Sequence, residues 1–219
     1  NCGGVTALPP IADVYDDYQL LDSEDRYRLL TNFVGPRPIA LVSTIDEHGR
    51  HNAAPMSFFN VFSHDPALVV IGVQMRPDGR EKDTVANIRR TREFTVNMVD
   101  MALAPGMLAC AMTVEPGVDE IALAGLTPVA GHRIGARRVG ESPCAMECRV
   151  ERILDWPGRA LVIGEVVFMQ VRDACLDAAG RYVNPDAYHP IARLHADNYI
   201  VADRQFELKV PRLPEPEAI

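Results

Sequence analysis

Cys144-Ala-Met-Glu-Cys-Arg-Val-Glu-Arg-Ile-Leu154 and Arg159-Ala-Leu-Val-Ile-Gly-Glu-Val-Val-Phe-Met-Gln-Val171 flank Asp155-Trp-Pro-Gly158. The two arms are rich in β-branched and apolar residues. The link places Pro and then Gly at the central positions of a type II turn. The stretch therefore reads as one long antiparallel hairpin. Cys144 and Cys148 are four apart and would share a face of the first arm. With no second pair and no His at zinc spacing, they read as packing thiols, because free Cys behaves as a small buried hydrophobe.

Other segments repeat the pattern. Ile39–Ile45 is apolar and β-branched, Asp46–Arg50 is a Gly-containing turn, and His51–Ala54 returns as a second strand. His48 and His51 straddle this turn and read as exposed turn residues. Pro66–Val73 and Glu93–Val99 are further strands. Asp83–Arg92 has helical periodicity, with Val85, Ile88 and Arg89 on one face and Asp83 capping its start. Met101–Met112 and Val118–Ala124 also read as helices, divided by Pro116-Gly117. Antiparallel strands at this density predict a mainly β (β-rich α+β) chain. They also predict a closed barrel, the arrangement that removes exposed sheet edges. Residues 1–35 read as an N-terminal extension. Within it Leu8-Pro-Pro10 is irregular, and a short helix begins near Ser23, a plausible N-cap. Residues 36–208 form the domain and 209–219 a Pro-rich tail.

Composition excludes several classes. The 219-residue chain carries 47% hydrophobic and 24% charged residues, as a globular domain does, and a formal charge of -8. An acidic chain without a long Lys/Arg run suits neither nucleic acid nor an anionic membrane. Its longest apolar runs are too short to span a bilayer as helices. Asn1–Pro10 has no basic region followed by an apolar core, so no secretory signal is read. Five widely spaced cysteines (2, 110, 144, 148 and 175) argue against a disulfide scaffold and for a reduced, cytoplasmic setting. The dinucleotide fingerprint, the phosphate loop, the nucleophile elbow and the paired-His zinc helix are all absent.

Two short segments carry chemistry. Asn52-Ala-Ala-Pro-Met-Ser-Phe-Phe-Asn60 reads in two ways. It can be a loop whose Phe58 and Phe59 plug the core. Or its small residues and amide donors can face a flat aromatic ring, with Ser57 offering a hydroxyl. Arg80-Glu-Lys-Asp-Thr84 is either a solvated charged loop or an anion site. In the second reading Lys82 supplies a cation, Thr84 a hydroxyl and the helix start free amides, with Asn87 one turn on.

Taken in order, Arg37-Pro-Ile-Ala-Leu-Val-Ser-Thr44, Asn52–Asn60, Asp65-Pro66, Lys82-Asp-Thr84 with Asn87, and Glu93-Phe-Thr-Val-Asn97 resemble the flavin reductase-like, FMN-binding split-barrel family. Ala124-Gly-Leu126, Glu141-Ser-Pro143 and Ile163-Gly-Glu-Val166 continue the likeness. The resemblance implies a split β-barrel that binds FMN non-covalently, as a homodimer with the site near the subunit interface. It carries FMN contacts onto Asn52, Ala54, Pro55, Met56, Ser57, Phe58, Phe59, Asn60, Lys82, Asp83 and Thr84. Tyr188-His-Pro-Ile-Ala-Arg193 resembles the family's late segment, so His189 is the candidate to approach the flavin or an incoming nicotinamide. The implied activity is NAD(P)H-dependent flavin reduction, with hydride passing from nicotinamide to flavin N5, in some arrangements alongside a partner monooxygenase. An FMN-binding electron carrier without nicotinamide reductase activity is the alternative. Whether FMN is a prosthetic group or an exchanging substrate stays open.

Overall fold

The computed structural model describes residues 17–76 and 78–211. Cys2, Leu8-Pro-Pro10 and most of the Pro-rich tail lie outside them. Twelve strands occur among the described residues: β1 Arg37–Pro38, β2 Ala40–Ile45, β3 His51–Met56, β4 Phe59–His64, β5 Ala67–Gln74, β6 Glu93–Met98, β7 Pro128–Val129, β8 Arg138–Val139, β9 Cys144–Trp156, β10 Arg159–Val171, β11 Ile191–Arg193 and β12 Tyr199–Val201. The α-helices are α1 Ser23–Phe33, α2 Asp83–Thr91, α3 Ala104–Ala109 and α4 Glu120–Leu123.

Seven strands make one antiparallel sheet in the order β3-β2-β6-β9-β10-β5-β4. The long hairpin β9–β10 is its centre. Trp156 pairs with Arg159 across Pro157-Gly158, and Gly158 adopts φ 73° as the turn requires. The sheet's two outermost strands, β3 and β4, are consecutive in the chain. Only Ser57 and Phe58 separate them. The sheet must therefore curl until its edges meet at that corner. No ladder joins them: β3 pairs with β2, and β4 pairs with β5. The barrel is thus split along a seam, as the family resemblance implies, where strand density alone suggested a closed barrel.

Alternation fills the barrel. Val69, Ile71 and Val73 of β5, Ala40 and Val42 of β2, and Phe94 and Val96 of β6 point inward. Val85 and Ile88 of α2 join the same core. The intervening residues of β2 and β3, Leu41 and Ala53, face outward. They are covered by Leu103, Met107, Cys110 and Ile121 of the segments around α3 and α4. Both faces of this part of the sheet are therefore dry. Cys144 and Cys148 share the inward face of β9, as their spacing predicts. Burial pushes the Cys148 thiol upward and that of Cys144 to about 11.

Several local expectations need correction. Asp22, not Ser23, caps α1, accepting the Asp25 N–H at 2.8 Å. The segments Met101–Met112 and Val118–Ala124 are helical only over α3 and α4. The Asp100 carboxylate holds the preceding turn through the Leu103 N–H (2.9 Å), and Asp119 caps α4 through the Ala122 N–H (3.0 Å). His48 is exposed, but His51 opens β3 opposite Ile45 and is buried. Lys82, not Asp83, occupies the N-cap position of α2 and makes no capping side-chain bond. No described helix is long and apolar enough to cross a membrane.

Candidate functional site

The corner at Ser57-Phe58 is not a loop plugging the core. Phe59 is buried as the first residue of β4, while Phe58 stays 39% exposed. A cleft of about 140 Å³ opens here, lined by Pro55, Met56, Ser57, Phe58, Gly72 and Lys82, with Tyr27 and Gln74. It lies at the seam where β3 and β4 part. Pro55 is tolerated on β3 because an edge strand can lose an N–H without breaking a ladder. Ser57 and Phe58 lie outside both ladders, so their amides are available as donors. Gly72 lies at a close approach to the corner. Its N–H donates to the Phe58 carbonyl (2.7 Å), and a Cβ there would sit 3.2 Å from Phe58 Cβ.

Lys82 reaches this cleft from the start of α2. Its ammonium has no carboxylate partner among the described residues. Burial lowers its pKa, and the nearby Arg76 charge adds to that. A partly buried cation next to another cation and a helix N-terminus is a place for an anion. Asp83 does not share it. Its carboxylate accepts the Gly117 N–H (3.1 Å) and pairs with Arg76 (3.5 Å).

Asn52 and Thr84 turn inward instead. The Thr84 and Thr44 hydroxyls donate to Asn52 Oδ1 at 3.0 and 3.2 Å. Asn87 Nδ2 donates to Thr44 Oγ1 (3.0 Å). Asn52 Nδ2 and the Ala53 N–H in turn donate to the buried Glu120 carboxylate at 3.0 and 3.2 Å. Burial raises the Glu120 pKa, against these bonds, and the Asp83 charge raises it further. This network ties β2, β3, α2 and α4 beneath the cleft. It fixes the strand that carries Pro55–Ser57 relative to the helix that carries Lys82. Ala54 packs into the barrel core. Asn60 is exposed, its Oδ1 accepting the Val61 N–H (2.8 Å).

The wall formed by α1 was not legible in the sequence. Tyr27 meets Phe58 at 6.3 Å between ring centroids, tilted by 50°. Arg37 holds α1 there. One Nη donates to the Thr31 and Val34 carbonyls (2.9 and 2.7 Å), the other to Leu194 O (2.8 Å), and the guanidinium lies 5.9 Å from the Phe58 ring. Thus α1, the corner and the loop that follows β11 are stitched by one side chain. His189 lies elsewhere. It is exposed before β11, its carbonyl accepting the Met101 N–H (3.0 Å), and it does not line the cleft. Among the described residues no group of acids, His or Cys could hold a metal ion.

Comparison with known proteins gives a consistent picture. The sequence model described as flavin reductase like domain matches residues 35–191. A structure of 2-nitrobenzoate 2-nitroreductase NbaA from Pseudomonas fluorescens is 33% identical, over 94% of this chain and 100% of its own, with a TM-score of 0.83. Nitrilotriacetate monooxygenase component B from Bacillus cereus is 32% identical, over 91% and 100%, with a TM-score of 0.86. An uncharacterised protein of Aquifex aeolicus is 38% identical over 189 residues, 86% of this chain and 96% of its own length.

Proposed function

This chain belongs to the flavin reductase like family, and on that premise we propose that it is an FMN-binding oxidoreductase that uses NAD(P)H to reduce flavin. The observation that carries the choice of FMN is Lys82, a partly buried cation without a carboxylate partner, beside a cleft walled by Tyr27 and Phe58. The residues present suit a flavin mononucleotide. Lys82 and the first-turn amides of α2 would hold its phosphate. Ser57 and Gln74 supply polar groups, the amides of Ser57 and Phe58 supply donors, and the two aromatic rings supply an apolar wall. A bound flavin supplies two-electron chemistry, accepting hydride from a nicotinamide and passing electrons onward.

The chain's own task is then to bind and orient. Pro55, Met56 and Phe58 exclude water from one side of the cleft, while the seam leaves the other side open to a second ring. No nucleophile or proton-transfer group is needed for such a step. His189, which stands outside the cleft of one protomer, is proposed as a contact for the incoming nicotinamide. Val61 and Phe62 on the edge strand β4 and Leu30 and Phe33 on α1 are exposed apolar residues flanking the site. They support a homodimer with the cleft close to its interface. The monooxygenase component among the similar proteins supports a partner oxygenase as the acceptor of reduced flavin.

The test is the visible spectrum of the purified protein with FMN under anaerobic addition of NADH or NADPH. Bleaching by either nicotinamide is expected. Bleaching by dithionite alone would instead make the protein an electron carrier. Light scattering of the FMN-bound protein at micromolar concentration checks the dimer.

A further inference from the structure

A second pocket of about 140 Å³ lies at the end of the β9–β10 ladder where Cys144 pairs with Val171. It is lined by Arg138 of β8, Ser142, Ala145, Gln170 and Arg172. Gln170 stands nine residues along β10 from Leu161, the partner of Gly72 in the seam cleft, which at about 3.3 Å per residue is ~30 Å along the strand. Its polar groups are incompletely paired. Arg138 Nε and Gln170 Oε1 are both buried without a hydrogen-bond partner. The Arg138 guanidinium makes no side-chain hydrogen bond or ion pair among the described residues. Arg172 spends one Nη on the Glu141 carbonyl (2.7 Å). Among the described residues no acid lines the pocket. The nearest in sequence, Glu141, turns its carboxylate to the N–H and hydroxyl of Thr127 at 2.8–3.1 Å.

Two arginines lining one pocket, of which only Arg172 feels a carboxylate, that of Glu141, call for an anion, and guanidinium forks match oxyanions well. Gln170 narrows the choice. An ionised carboxylate has no O–H to give to Gln170 Oε1, whereas a hydrogen phosphate has one. A water needs only about 10–15 Å³ of such space, so the pocket has room for a larger group. We propose that this pocket is a phosphate-binding site, taking inorganic phosphate or the phosphate of a monoester. It is separate from the seam and does not depend on the flavin assignment.

Calorimetric titration with inorganic phosphate and, separately, with glycerol phosphate, at low chloride, tests this. Saturable binding of at least one is expected. The tighter of the two tells whether the natural ligand is the free ion or a phosphorylated molecule. Arg138→Gln should weaken that binding about tenfold or more, the usual loss when a hydrogen bond to a charged group is removed. Lys82→Ala should leave it unchanged, which keeps phosphate at the seam from being mistaken for this site. Absence of saturable binding to wild-type protein would overturn the proposal, as would equal binding by Arg138→Gln. If near-ultraviolet circular dichroism shows Arg138→Gln unfolded, Arg172→Gln, at an exposed position, is read in the same way.

Discussion

Replacing Lys82 by Ala should remove the cation that selects a phosphorylated flavin. Its ammonium lies partly buried at the cleft with no carboxylate partner, so the wild-type contact to phosphate would be charge-assisted and weakly screened. A hydrogen bond to a charged group contributes about 1.5–3 kcal/mol. That converts to an FMN dissociation constant raised roughly 10- to 150-fold. Riboflavin has no phosphate, so its affinity should not change, and the preference for FMN over riboflavin should collapse. Quenching of flavin fluorescence measures both constants. The flavin-free protein offers an internal check. The Lys82 pKa is lowered in the fold, so the charged form opposes folding at neutral pH. That opposition fades as pH rises through the folded pKa toward the ordinary value near 10.5. Without ligand, Lys82→Ala should melt no lower than wild type at pH 7, and any advantage should shrink in alkali. Equal FMN affinity of variant and wild type at moderate salt would refute the phosphate assignment.

Tyr27→Ala should weaken FMN binding roughly 2- to 10-fold, matching the ~0.5–1.5 kcal/mol of an aromatic contact, and fluorescence titration checks it. Gly164→Ala should destabilise the barrel by about 1–3 kcal/mol, because the new Cβ would stand 2.7 Å from Cε1 of the fully buried Phe94. Thermal unfolding should then fall by roughly 2–4 °C per kcal/mol. Glu120→Gln changes pH dependence. The folded Glu120 pKa is raised, so its contribution is full below the unfolded value and is lost as pH rises through the folded one. The wild-type melting temperature minus that of the variant should therefore shrink between pH 4.5 and pH 7.5. A constant difference would show that Glu120 titrates normally. Burial raises Cys110 to about 12 and Cys144 to about 11, so at pH 8 neither should be alkylated by iodoacetamide until the protein is denatured. Peptide mapping reads this directly.

The strands and the long hairpin were legible because their signals are local: apolar, β-branched runs and a Pro-Gly turn. Even the core position of Phe59 was one of the two readings of its segment. What escaped was whatever depends on register and on distant chain. Asn52 and Thr84 look like ligand-facing polar residues in a one-dimensional pattern. In the fold they satisfy each other, since Asn52 stands between Glu120 and the start of α2. Tyr27 was set aside with the N-terminal extension, because nothing in its neighbourhood says that Arg37 will pin α1 against Phe58. One clue was available. Gly72 interrupts Leu68-Val-Val-Ile71 and Val73, and a lone Gly within a strand marks a place where another backbone comes close.

The two-residue corner has a mechanical consequence. Met56 and Phe59 are three Cα steps apart, so the edges of the sheet cannot separate there by more than about 10–11 Å, however the barrel breathes. The seam is therefore a hinge with a covalent vertex. It can splay toward His51 and His64 but stays pinched at Ser57-Phe58. Residues inserted between these two would lengthen the tether and loosen the grip of the cleft without touching any strand pairing. Cutting the chain there and joining its ends elsewhere would leave all seven strands paired as they are, but free the pinched end to gape.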